Sequence, residues 1–407
     1  MSILGGKLDG QVRVDRVRAD RGQVDPGQAG PVQEGPAQAE SVLRSQREWV
    51  AVRRAAEGYG RELNEVAMRL YPRDRWVFGD CVLSGEGWTL PRPVELDHAR
   101  LAFTAAHAAA PRLGPLDHVL PLATEHERFS DFSAAVGALV RPRLLEDRPS
   151  YRLLDLSHED GLALTFGLTT YFEVFTLREA MAHELKAAWL RRGRSTPDWS
   201  DLPLRAAVAD PFDPAGLLMS PGIGTLTIRR DADGDRFLVH RRDGRAVADG
   251  GSLCTVVPAG EFQPTSPAPA DVRADFDLWR NIMREYSEEL LGHPERAGGV
   301  DYHTEEPFRA MDRARRDGRF RVWHYGLVLD PVTLGASQRT VAVLDGEVFD
   351  ELFAGLVTTN AEGWIVGERG RVGVPFTDEA IGRVERLLTP ASRTLVRMAW
   401  RDRELFG

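Results

Sequence analysis

The sequence predicts a mixed α/β fold, and three observations carry that expectation. The first is a set of short alternating segments bounded by turn residues. Thr225–Arg230 (TLTIRR), Arg236–Arg241 (RFLVHR), Ser252–Pro258 (SLCTVVP), Arg319–Asp330 (RFRVWHYGLVLD) and Thr340–Leu344 (TVAVL) each read as a strand. The second is an apolar stripe at Phe276, Trp279, Met283, Tyr286 and Leu290, whose steps of three and four specify a helix. The third is composition: 407 residues that are 43% hydrophobic suffice for two or three packed domains.

Taken along the chain, residues 1–40 are polar and rich in Gly, Pro, Gln, Asp and Arg, which predicts a disordered tail. From Ser41, Trp49, Val52, Ala56, Tyr59, Leu63, Val66 and Leu70 form a heptad-like seam over 41–72, ended by Tyr71-Pro72. A seam this short either dimerises or packs on its own chain. Residues 73–215 read as an α/β domain of unassigned role. Arg152–Ser157 and Leu162–Phe175 suit strands there, and Thr176-x-x-Glu179 suits a capping box opening a helix to about Arg192. His183-Glu184 lies in that helix, but Ala187 stands where a second zinc-binding His would be. Pro221–Gly224 is Gly-rich yet leads into a strand, whereas phosphate-cradling loops lead into helices. Residues 216–407 hold the strands above. Gly363–Val366 suits a further strand, Val348–Phe353 a short helix and Asp378–Leu388 a closing helix.

The chemistry concentrates in Arg284-Glu285-Tyr286-Ser287-Glu288-Glu289. Positions 285, 288 and 289 are spaced i, i+3, i+4, so three carboxylates share one helix face, opposite the apolar stripe. Their mutual repulsion calls for compensation. Mg²⁺ (or Mn²⁺) supplies it, being a hard cation that prefers a few carboxylates together with substrate phosphates. A solvated helix face has the same composition and is the competing reading. Asp275 is the expected N-cap of this helix and Gly292 its stop.

The order of elements resembles the Nudix hydrolase superfamily. Phe237–Arg242 matches its basic strand, Pro258-Ala259-Gly260 its P-x-G loop, and Arg284–Glu289 the R-E-x-x-E-E of its box G-x5-E-x7-R-E-U-x-E-E-x-G-U. The resemblance spans about residues 220–370, with the box at 260–292. Three positions depart from it: Phe276 replaces the early Glu, Ala270 the early Gly, and Leu291 the late Gly, with Gly292 one residue beyond. The resemblance implies an α/β/α sandwich around a mixed sheet and hydrolysis of a pyrophosphate bond in a nucleoside-diphosphate derivative. Glu285, Glu288 and Glu289 would bind the metal, and Arg284 would brace the loop. Gly260 would approach the ligand, and Trp323 and Tyr325, with Trp364, could stack on a base, unless they are sheet core. Glu288, Glu289, Glu347 and Glu362 are the candidates for general base. The stretch 73–215, with Leu63–Tyr71 and Leu90–Leu101, also resembles the body of actinobacterial regulator proteins. That sustains an alternative: a non-catalytic nucleotide sensor.

A net charge of −9 argues against a protein that coats nucleic acid, and a nucleotide-type small molecule is the expected partner. Only Lys7 and Lys186 are lysines, an arginine bias that suits a high-GC bacterial genome. Cys81 and Cys254 have no metal spacing and read as free thiols of a reducing cytoplasm. No run of about 18 apolar residues spans a membrane. The seam and the domain type allow a homodimer.

Overall fold

The computed structural model describes residues 36–406 apart from 56–59, 78–80, 106–110, 112–113, 143–144, 159–160, 243–252, 358–362 and 369–370. The expected tail lies outside the described residues up to position 35. Ala56, Tyr59, Ser252 and Glu362 also fall outside them, as does the side chain of Trp364.

The chain is mixed α/β, as its alternating segments predict. A nine-stranded mixed sheet forms the centre, running Trp76–Val77, Val82–Leu83, Phe320–Leu329, Ala336–Asp345, Gly222–Arg230, Arg236–Phe237 and Val374–Pro375. Thr89–Glu95 also pairs with Phe320–Leu329, and Ala259–Gly260 with Gly222–Arg230. The two central strands are parallel, from Ser337↔Gly222 to Asp345↔Arg230, and buried along most of their length. Strands covered on both faces need apolar or small residues throughout, and these have them. The sheet includes residues 76–95, so it crosses the division expected at 216.

Alternation assigns the two faces. Ile223 joins Val257, Phe262, Ile282, Tyr286 and Leu344 in one core, under the helix Leu278–Glu289. Leu226 and Ile228 join Trp323, Tyr325, Val341 and Val343 in a second core, under the helix Pro390–Arg401. This last helix was not anticipated. The closing helix expected over Asp378–Leu388 runs only over Asp378–Val384, then gives way to a 3-10 turn, and Thr389 caps a new helix with Pro390 in its first turn.

A smaller sheet of Arg100–Phe103, Ala163–Thr170 and Pro149–Ser157 lies within 73–215. The strand expected to reach Phe175 stops at Thr170, which caps the helix Tyr171–Arg191 in a capping box with Glu173. The sequence holds two T-x-x-E patterns six residues apart, and the first is the cap. Glu179 of the second instead pairs with Arg53. The heptad-like seam is divided between the helices Pro36–Arg54 and Gly60–Met68. It packs on its own chain: Trp49 stacks on His183 at 5.5 Å, while Leu63 and Val66 join Leu185, Ala188 and Trp189. Burial pushes the His183 imidazole down to about 3, so it is a neutral core group. Among the described residues no helix is long and apolar enough to cross a membrane.

Candidate functional site

The acidic helix Leu278–Glu289 is capped by Asp277, whose side chain accepts from Arg280 N–H, rather than by Asp275. It ends as expected: Gly292 takes φ of 68°, where its N–H reaches Glu288 O at 3.1 Å and His293 N–H reaches Ser287 O at 3.1 Å. Trp279, Ile282, Met283 and Tyr286 bury the apolar side. Tyr286 Oη lies 2.7 Å from Thr227 Oγ1, which itself donates to Val257 O. Through Thr227, on the strand Gly222–Arg230, these bonds tie the helix to the backbone that opens into Pro258-Ala259-Gly260.

Asp275 has a different task, and it answers the missing box glutamate. Arg284 is 5% exposed. Its guanidinium donates to Gln263 O (2.6 Å), Asn281 Oδ1 (2.8 Å) and Tyr302 Oη (3.1 Å), and pairs with Asp275 Oδ2 at 3.1 Å. Asp275 accepts in turn from Thr265 N–H, Thr265 Oγ1 and Tyr302 Oη. Burial lowers the proton affinity of Arg284, but Tyr302 and Asp275 outweigh it and hold the guanidinium charged. The arginine therefore braces the loop through the residue next to Phe276. Phe276 joins Tyr151, Phe166 and Phe262 in an aromatic cluster with ring centroids 5.0 to 5.7 Å from its own. Apolar packing thus replaces the early, charged half of the box.

The three glutamates are held differently. Glu285 lies over Gly260, where an added Cβ would overlap its carboxyl group and push that side chain aside. Burial, then Glu288 and Glu289, push the Glu285 carboxyl well above its ordinary value, against the pull of Arg284. Burial, then Glu295, push Glu288 up to about 7, with Arg284 and Arg148 opposing. Glu289 accepts from Ala259 N–H at 2.7 Å and ties the loop to the last turn of the helix.

Two arginines from the amino-terminal half edge this surface. Arg178 on the Tyr171–Arg191 helix pairs with Glu261 at 2.8 Å, next to Gly260. Arg148 pairs with Glu295 and with Glu146, the latter at 2.9 Å. Sequence reading missed Arg148, Arg178, Glu261 and Glu295. Glu261 lies inside the box and Glu295 just beyond it, and both could have been found, whereas the arginines lie a hundred residues or more upstream of the helix with no local pattern.

Other expected contacts are not brought here. Trp323 and Tyr325 are 3% and 0% exposed, in the core on the opposite face of the sheet. Trp323 packs on Phe406 at 4.8 Å and Tyr325 Oη donates to Asp402 at 3.0 Å. Neither offers a free ring face, because their alternation on a central strand turns both under the final helix. Glu347 is exposed, pairs with Arg319 at 3.3 Å, and is not among the charges acting on Glu285 or Glu288. Of the candidate bases among the described residues, Glu288 and Glu289 stand at the site.

Carboxylate oxygens are the donor type that a hard divalent cation takes, and two of the three are raised: Glu285 by burial with Glu288 and Glu289, and Glu288 by burial with Glu295. As arranged, the side chains do not converge. Among the described residues no group of three or more His, Cys, Asp or Glu is placed to hold a metal ion. Glu289 is turned to Ala259 N–H and Glu285 to Gly260, so coordination would require rotamer changes at the helix surface. Comparison with family models and with curated proteins returns no match to this chain, so the likeness of residues 260–292 to a Nudix box rests on those residues alone.

Proposed function

We propose that the chain is an Mg²⁺- or Mn²⁺-dependent hydrolase that cleaves the pyrophosphate bond of a nucleoside-diphosphate derivative, using a Nudix-like fold in the cytoplasm. The observation that carries this reading is the acidic cluster against Gly260, where Glu285 and Glu288 are held above their ordinary proton affinity despite the opposing pull of nearby arginines. A solvated helix face does not bury its carboxylates against one another. Glu285, Glu288 and Glu289 would hold the ion. A divalent ion there supplies neutralisation of pyrophosphate charge and activation of water.

The residues of the chain have separate parts in this reading. Arg284 and Asp275 fix the loop so that Gly260 stays against Glu285. The general base in this reading is Glu288 or Glu289, whichever keeps an oxygen off the ion. Arg148 and Arg178 place positive charge at the rim, where phosphates would approach.

One observation favours a second reading, a nucleotide sensor without turnover: Glu289 is engaged by Ala259 N–H and the carboxylates do not converge. Incubation with ADP-ribose, NADH, dinucleoside polyphosphates and nucleoside triphosphates plus Mg²⁺ or Mn²⁺ separates the two. Hydrolysis that Glu288→Gln and Glu289→Gln abolish supports the enzyme. Tight binding with no product in any mixture supports the sensor.

A further inference from the structure

A second charged site lies on the other side of the sheet. A cleft of about 600 Å³ opens between the helices Gly60–Met68 and Pro390–Arg401. Arg61, Arg69 and Arg73 line one wall, and Arg386, Arg393 and Arg397 the other. Two glutamates accompany them, and both are taken. Glu65 pairs with Arg61 at 3.4 Å, and Glu385 with Arg397, whose Nε lies 3.0 Å away. Among the described residues no carboxylate pairs with Arg69, Arg73, Arg386 or Arg393. Arg73 lies over the Trp76 ring at 5.2 Å, and Arg393 Nε donates to Cys81 Sγ at 2.9 Å. Four guanidinium groups without counter-charge in one cleft are unusual in a chain of net charge −9.

An independent observation sits at the floor. Asn64 is 4% exposed and lines the cleft. Its Nδ2 donates to Cys81 O at 3.1 Å, while its Oδ1 has no hydrogen-bond partner. A buried acceptor left open is costly, and a small shift of the Asn64 side chain toward the cleft would let a ligand O–H or N–H donor complete it.

We propose that this cleft binds a nucleoside polyphosphate, its phosphates on the unpaired arginines and a hydroxyl or amino donor on Asn64 Oδ1. Guanidinium groups suit phosphate because their forked donors match its oxygens. The volume suits a small molecule, since such sites run from about 300 to 1,000 Å³. The net negative charge of the chain opposes a long nucleic acid. The site is separate from the acidic helix: the final helix packs on one face of the sheet and the acidic helix on the other.

The test is a calorimetric titration of the full chain with ATP and with inorganic tripolyphosphate. Carrying it out in EDTA leaves any divalent-dependent site silent. The expected result is saturable binding of both at low salt, with ATP the tighter. In Arg69→Glu/Arg386→Glu, two exposed positions, affinity falls on the order of tenfold or more for each charge lost. Asn64→Leu narrows the preference for ATP over tripolyphosphate. Arg386→Gln, a milder change, weakens binding in the same direction if the double variant melts early. No saturable binding to the wild-type chain would overturn the proposal. So would unchanged affinity in a folded double variant, or a single-stranded oligonucleotide that outcompetes ATP.

Discussion

Two charged groupings around one helix have opposite fates. Arg284 and Asp275 are both buried, and every neighbour they meet completes a hydrogen bond: Gln263 O, Asn281, Tyr302 and Thr265. Immediately beside it, Glu285 and Glu288 are partly buried near further carboxylates, and burial and repulsion push both up. The first grouping is satisfied by the fold and serves the fold. The second is not satisfied by the fold, and a charge deficit of that kind is what a bound cation would fill. The same element therefore carries both scaffold and site, and the difference between them can be measured.

The largest effect is expected at the satisfied grouping. Arg284→Ala leaves Asp275 buried without its cation, and breaking a buried pair costs about 3–5 kcal/mol. Urea denaturation should show that loss, and a loss under about 1 kcal/mol, the usual size for an exposed pair, would mean that the network does not hold the loop. Gly260→Ala acts on the other grouping. The added methyl meets the far end of the flexible Glu285 side chain, so the fold should persist with little change in melting temperature. Divalent-dependent turnover should fall on the order of a hundredfold as the carboxylate is displaced. Equal turnover in Gly260→Ala and wild type would detach Gly260 from the chemistry.

A smaller effect follows from pH. Glu288 binds its proton more tightly in the folded chain, at about 7 against an ordinary 4.5. Its favourable contribution is therefore complete below about pH 4.5 and is lost as pH rises through 7. In metal-free buffer the melting temperature should decline from pH 5 to pH 8. Glu288→Gln should flatten that decline, and Mg²⁺ should reverse it at pH 8. A wild-type profile that matches Glu288→Gln would remove the charge deficit from the account. The smallest effect belongs to an exposed pair. Glu379 and Arg383 lie 2.9 Å apart on a helix surface, and Glu379→Gln should change stability by no more than about 0.5 kcal/mol.

Legibility in the sequence divides along the same line. The helix, its apolar stripe, its Gly292 stop and the strands before and after it follow from local periodicity, and the structure forms them. What local pattern could not supply was the partner of Arg284, because Asp275 reads equally well as an N-cap until the aromatic cluster around Phe276 starts the helix at Leu278. The direction of Trp323 and Tyr325 was also hidden. A strand pattern fixes which residues share a face, but which face is covered depends on where the helix Pro390–Arg401 packs, and no local pattern gives that. Arg148 and Arg178 reach the site only because the amino-terminal half packs beside the loop, a contact across more than eighty residues of sequence.

The central claim is that Glu285, Glu288 and Glu289 are gathered to take a divalent ion, and proton-coupled calorimetry tests it directly. Titrating the chain with Mn²⁺ at pH 6.5 should give saturable binding with release of protons, because Glu285 and Glu288 must ionise to coordinate. Glu285→Gln/Glu288→Gln should lose both signals while keeping its fold. Absence of binding to the wild-type chain, or the same binding and proton release in the double variant, would contradict it.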